Sequence, residues 1–373
     1  MAIARAHLVD LSVTRWYHCV TRCVRRAFLL GEGESDRKVW IDNRVRELAE
    51  IFSIAVGGFS VMDNHLHLLV RLDPEMAGGW SDEEIVRRWG RLFPPRDKAR
   101  QLLPVSNDWV KWRLQDPAWV AKTRERLQSL SWFMKCLKEP LSRMANREEK
   151  VRGAFFEGRF KSVAVLDEES LLAVCAYIDL KPVAAGIARL PEDSEHTSIK
   201  ERVEHGKRQG RLDDLRAALP SRSEGRREKG DGNLLCEAPG RAVPAKGSRP
   251  LFRVEETHWL CPIEDRRRID SSREGMLEGF SLGNYLVLVD YTGRLFREGN
   301  ASLSREVAGI LERIGTTDLA WQARLEKLSK GRLLGRFFAA SRQRLREVAE
   351  RLRLKRVPNL GGCPASPFAG GEA

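Results

Sequence analysis

The sequence predicts an α+β fold: a ferredoxin-like βαββαβ sheet carrying a helical insertion, followed by a smaller, mostly helical α+β domain. Three observations predict it. Over about residues 1–200, strand-type runs and helical periods follow one another as strand, helix, hairpin, helix, strand, helix. A Trp- and Arg-rich stretch at about 73–147 interrupts that order once and reads as the insertion. Between about 201 and 249 glycine, proline and charge accumulate without periodicity, which predicts a linker with residual helix ahead of a second unit at 250–373. A chain of 373 residues is in any case long for one domain, since domains cluster near ~100–150 residues.

The elements follow in order. Residues 15–24, RWYHCVTRCV, are β-branched and aromatic and predict a strand; the GEGES turn after it ends at Ser35, a candidate helix cap. From Asp36 to Phe52 apolar residues recur at steps of three and four, which predicts an amphipathic helix. IAVGGFSVM and HLHLLVRL, separated by Asp63-Asn64, predict a hairpin. Within the insertion, SDEEIVRRWGRLF opens with a serine cap and acidic residues and predicts a helix. The period continues from Ala121 to Arg147, where Pro140 predicts a kink. FFEGRFKSVAVL predicts a strand carrying Arg159 and Lys161, and DEESLLAVCAYIDL a helix that Lys181-Pro182 ends. The second unit begins near THWLCPIEDRRR, continues through a strand-like NYLVLVDYTGRLF and closes in helices such as WQARLEKL and FFAASRQRLREVAERLRL.

Charge narrows the function classes. Lysine and arginine total 65 against 52 acidic residues, a net +13 that favours a polyanionic partner; charge alone does not separate nucleic acid from anionic lipid. No run of ~18 uncharged apolar residues exists, so no membrane span is expected. The first residues lack a signal-peptide core, and the expected location is the cytoplasm. The seven cysteines are dispersed, contain no C-x-x-C and read as reduced thiols; Cys19 and Cys23 lack two further ligands for zinc.

Two patterns carry chemistry. His65 and His67 stand two apart on a strand, so both imidazoles project from one side, either as half of a metal site or as the polar side of an amphipathic strand. Tyr177, one of four tyrosines, has Lys181 one helical step of four residues further on; it is either a reactive phenol or a core aromatic.

Taken together, MDNHLHLLV, FFEGRFKS and AYIDLKPVAAGIARLPEDSEHTSI resemble the REP-associated tyrosine transposases, bacterial single-tyrosine HUH nucleases, over roughly residues 15–200. The second unit, with WLCPIEDRRR and SSREGMLEGF, looks like the carboxy-terminal extension of a long subgroup. The resemblance implies an HUH nuclease core in which His65 and His67 hold magnesium or manganese and Tyr177 attacks a single-stranded DNA phosphodiester. The product would be a 5′-phosphotyrosine and a free 3′-OH. It also implies strand transfer on DNA with a hairpin or inverted repeats, without a nucleotide cofactor, and with Arg22, Arg25, Arg26, Arg159 and Lys161 near the DNA backbone. Whether the unit is a monomer or a homodimer does not follow from it. The chain departs from the pattern where the family carries asparagine as a third metal ligand: here stands Lys181, an ammonium with donors only, and Ala184 replaces the pattern's next arginine. Two readings stay open, a lysine that balances charge on the scissile phosphate and a chain that binds hairpin DNA without cutting it. An RNA-binding ferredoxin-like domain is a more distant third, because histidines occupy the strand where stacking aromatics belong.

Overall fold

Four segments of alternating pattern build the central sheet: β1 (Trp16–Arg22), β2 (Ile54–Val61), β3 (His65–Leu72) and β4 (Lys161–Val165). The computed structural model describes residues 9–31, 36–211, 255–269, 273–298, 305–329, 337–339 and 341–352. The four strands lie in the order β2-β3-β1-β4 and every neighbouring pair is antiparallel. FFEGRFKSVAVL is only partly a strand. It begins at Lys161, so Arg159 lies in the loop before it, whose backbone is held by Lys138 Nζ donating to Gly158 O at 2.8 Å.

The first helix, α1 (Arg37–Ile51), is capped by Asp36, whose carboxylate accepts from Val39 N at 3.0 Å; Ser35 lies outside the described residues. The insertion holds α2 (Pro74–Gly78), α3 (Asp82–Leu92), α4 (Asn107–Leu114), α5 (Pro117–Leu127) and α6 (Leu130–Glu148). Ser81 caps α3 as its sequence predicts. The period from Ala121 to Arg147 is divided between two helices, broken at Gln128 and Ser129 because Ser129 caps α6 through Trp132 N. Pro140 does not interrupt α6. It withdraws a donor from the Cys136 carbonyl, and the Arg44 guanidinium supplies one at 3.2 Å.

After β4 come α7 (Glu168–Asp179), the short α8 (Lys181–Ala184) and α9 (Ser198–Arg208). The stretch expected to be a linker from 201 is therefore helical to Arg208, because Thr197 caps α9 and Arg202 and Ile199 are buried; residues 212–254 lie outside the described part. Further on stand the paired two-residue strands β5 (Glu264–Asp265) and β6 (Leu277–Glu278), α10 (Leu282–Glu298), α11 (Arg305–Arg313) and α12 (Asp318–Ser329). The strand β7 (Phe337–Phe338) adds parallel to β4, and α13 (Arg342–Arg351) follows. NYLVLVDYTGRLF is thus helix, against its strand-like composition. Tyr285, Leu288, Val289 and Thr292 are all fully buried, and their spacing of three, four and seven makes one helical face.

The sheet is buried on both sides. One face packs Tyr17, Cys19, Leu66, Leu68 and Val70 into a core with α1 and α6. The other packs Leu69, Val163 and Val165 against α7, which is itself covered by α10 and α12. Cys261, Ile263 and the buried apolar residues of α10 to α12 share this second core, Leu260, Leu345 and Val348 join the first, and buried polar bonds tie the segment to the sheet: Cys261 N donates to Val56 O at 2.8 Å, and Arg202 pairs with Glu255 while donating to Cys261 O at 2.8 Å. No helix among the described residues is long and apolar enough to cross a membrane.

Candidate functional site

Strand alternation and register assemble the site. In the antiparallel β1–β3 pair, Arg22 stands opposite His65, Val20 opposite His67 and His18 opposite Leu69. Directly opposite residues share a face, so His18, Arg22, His65 and His67 project from one side of the sheet. Lys161, opposite Val20 on the other flank of β1, joins them and is exposed. His18 is a residue that sequence reasoning missed. His18 Nε2 and His67 Nδ1 lie 2.9 Å apart, with the rings stacked at 5.1 Å, while the His65 ring stands edge-on to His67 at 4.9 Å. Asn64, in the hairpin turn, holds His65 Nδ1 at 2.6 Å through its Oδ1.

The histidines were expected on a polar side of their strand. Instead His18 and His67 are 1% and 2% exposed, because α7 lies across this face. Burial keeps all three imidazoles neutral. It pushes His18 down to about 3 and His65 to about 4, with the Lys181 charge adding to both, and His67 well below its ordinary value. Among the described residues, His18 Nδ1 and His67 Nε2 find no hydrogen-bond partner.

Tyr177 comes from the last turn of α7. Its ring stands at 90° to His67 with centroids 5.6 Å apart and edge-on to His18 at 6.3 Å. Burial pushes its phenol up to about 12, opposed only by Arg22. Lys181 opens α8, yet the chain keeps near-helical geometry through Leu180, whose N donates to Ala176 O at 3.0 Å, so the step of four survives the break. Its ammonium donates to the Tyr177 hydroxyl at 3.2 Å, and its own pKa is lowered, first by burial and then by Arg22. Tyr17 offers no substitute phenol: it is fully buried on the opposite face, its hydroxyl donating to Asp10 O at 3.0 Å.

Of the basic residues, Arg22 is half-buried beside His65, whereas Arg25 and Arg26 are exposed on a turn with φ of 55° and 58°. Asn64 pins that turn, accepting from Cys23 N at 2.9 Å and donating to Arg26 O at 3.0 Å. One asparagine therefore aligns His65 and the arginine turn. Arg159 is exposed in the loop before β4 and not on the strand.

A divalent ion finds only part of a site here. Among the described residues His67 Nε2 is a buried nitrogen without a hydrogen-bond partner, and Asn64 engages His65 through Nδ1. The third position is an ammonium, and among the described residues no group of three or more His, Cys, Asp or Glu could hold a metal. The protein groups by themselves do not make a magnesium or manganese centre, since such hard cations demand a set of oxygen donors.

Comparison with family models and with curated proteins finds no match. Among solved structures, that of a REP-associated tyrosine transposase bound to a REP hairpin is similar over 60% of this chain and 92% of that one, at 12% identity and a TM-score of 0.31. A likeness that loose carries no residue of that protein onto this one.

Proposed function

We propose that this chain processes single-stranded DNA bearing a hairpin or inverted repeats, as a cleaving and rejoining enzyme of the REP-associated tyrosine transposase type, with Tyr177 as nucleophile. One observation carries the reading: the Tyr177 ring on α7 stands at right angles to His67 on β3, centroids 5.6 Å apart, with a lysine ammonium 3.2 Å from its oxygen. The order β2-β3-β1-β4, all antiparallel, is that of a ferredoxin-like sheet and agrees with the reading. So do Arg22, Arg25, Arg26 and Lys161 around the same end of the sheet, where phosphates would be met.

In the reaction, the Tyr177 oxygen forms a bond to phosphorus as the bond from phosphorus to the 3′ oxygen breaks. The phenol gives up its proton and the departing 3′ oxygen gains one. The phosphodiester is exchanged for a phosphotyrosine ester of similar energy, so rejoining to another 3′-OH needs no nucleotide cofactor. A phenol held near 12 is a poor nucleophile at neutral pH. Lys181 offsets this, because its hydrogen bond and charge stabilise the developing phenolate and the phosphate oxygens together. A magnesium or manganese ion would have only His65 and His67 as protein donors and would supply charge neutralisation at the phosphate.

The competing reading is a hairpin-binding protein that no longer cuts, favoured by the burial of Tyr177 and by the ammonium in the third-ligand position. A labelled hairpin oligonucleotide separates the two. The enzyme gives a covalent, protease-sensitive adduct that disappears in Tyr177→Phe while binding persists. A mobility shift without an adduct in the wild type overturns the cleavage reading. Cleavage unchanged in EDTA excludes the metal and leaves Lys181 as the electrophilic group.

A further inference from the structure

Asp179, two residues after Tyr177, is fully buried. At ~100° per residue it points about 200° round the helix from the tyrosine, away from the histidines and toward α10. A carboxylate in that position is costly without donors. It has three: Ile199 N at 2.9 Å and the Ser198 hydroxyl, both on Oδ1, and the Tyr285 hydroxyl on Oδ2. Burial still raises its pKa despite them. Tyr285 belongs to α10, outside the segment that resembles a transposase. Eight residues further along α10, Gly293 faces Leu180 so closely that an added Cβ would sit 3.2 Å from Leu180 Cδ2 and 3.4 Å from Pro191 Cγ. Helix α10 thus grips Asp179 and Leu180, two of the three residues that stand between Tyr177 and Lys181.

We infer that α10, through Tyr285 on Asp179 and the Gly293 contact on Leu180, positions Tyr177 and Lys181 against the histidines, which makes Tyr285 a positioning residue for the nucleophile. The inference rests on the proposed role of Tyr177. Rotation of the end of α7 about its axis would carry the phenol off the histidine face, and the bonds at Asp179 oppose that rotation from behind. The Gly293 contact sets the height of the following turn. A bulkier residue there pushes on Leu180 without touching the Asp179 bonds.

The test uses the full chain with its four tyrosines labelled as 3-fluorotyrosine, the Tyr177 fluorine signal being assigned by its loss in Tyr177→Phe. Tyr285→Phe keeps the ring in the core and removes only the hydroxyl. It is expected to slow single-turnover adduct formation by ~10–100-fold, as a misplaced reacting group does, with hairpin affinity changed less than about twofold. The Tyr177 signal should shift or broaden while those of Tyr17 and Tyr291 stay. Gly293→Ala should move the same signal. A Tyr177 signal unmoved in both variants overturns the inference, as does a rate loss that vanishes once both proteins are assayed well below their melting temperatures. If the wild type forms no adduct, the proposed reaction fails, but the fluorine signals still decide whether α10 positions Tyr177.

Discussion

The two faces of the central sheet are made by alternate residues of the same strands and both hold fully buried side chains, yet one is a core and the other a candidate site. Tyr17, Cys19, Leu66, Leu68 and Val70 face α1 and α6 in an apolar cluster, while His18, His65, His67 and Arg22 face α7. Burial therefore does not separate packing from chemistry in this protein. What does is the ionisable chemistry on the second face: imidazole nitrogens without partners among the described residues, a phenol pushed up to about 12 and a lysine donating to it. Apolar burial on one side stabilises a sheet that can carry these groups on the other.

The contrast is broken or sharpened most directly by adjacent substitutions on β3. His67→Ala is expected to reduce adduct formation to background while the chain stays folded; an intact rate would remove the histidine face from the chemistry. Stability falls somewhat even so, by about 1–3 kcal/mol, because His18 Nε2 loses its partner in the interior. Leu68→Ala, one residue on and fully buried, should cost about 2–5 kcal/mol in denaturant unfolding and leave the rate of the folded fraction unchanged. If its rate falls as far as that of His67→Ala, the two faces are not functionally distinct.

Lys181→Met should slow adduct formation by roughly 10–100-fold, the worth of a hydrogen bond to a charged group. Lys181→Asn distinguishes the roles of the lysine. Faster cleavage with tighter manganese binding, measured by calorimetry, would mean that the ammonium repels an ion; slower cleavage assigns it to the phenol and phosphate.

The faces should also differ in their response to pH. An imidazole that burial keeps neutral takes up its proton in the unfolded chain below about 6.5 but not in the folded one. For His18, held at about 3, and His65, at about 4, the associated stability is complete above pH 6.5 and is lost as pH falls toward those values. Each contributes about 1.4 kcal/mol per pH unit within its window. His18→Gln should accordingly show a flatter loss of unfolding free energy between pH 6 and 4 than the parent. Equal slopes would mean that His18 is not held neutral. The smallest effect is expected at the exposed turn: Arg25→Ala with Arg26→Ala should lower the salt dependence of hairpin binding by about two counterions, and an unchanged slope removes the turn from the DNA path.

Much of the site was legible in the chain. A period of two puts His65 and His67 on one side of a strand, and a step of four puts Lys181 on the side of Tyr177, because both follow from local backbone geometry. The sequence of strands and helices before residue 200 was legible for the same reason. Tertiary structure decided the rest. The register that lays His18 against His67 joins strands almost fifty residues apart, and no local period carries it. Arg159 fell outside its strand because pairing with β1 reaches only as far as Lys161. NYLVLVDYTGRLF became a helix because its neighbours offered a face to bury Tyr285, Leu288 and Thr292 together. The bonds from Ser198, Ile199 and Tyr285 to Asp179 were invisible for the same reason, since a buried carboxylate is tolerable only where distant parts of the chain bring it donors. Local geometry fixes which side chains share a side; only long-range packing fixes what that side meets.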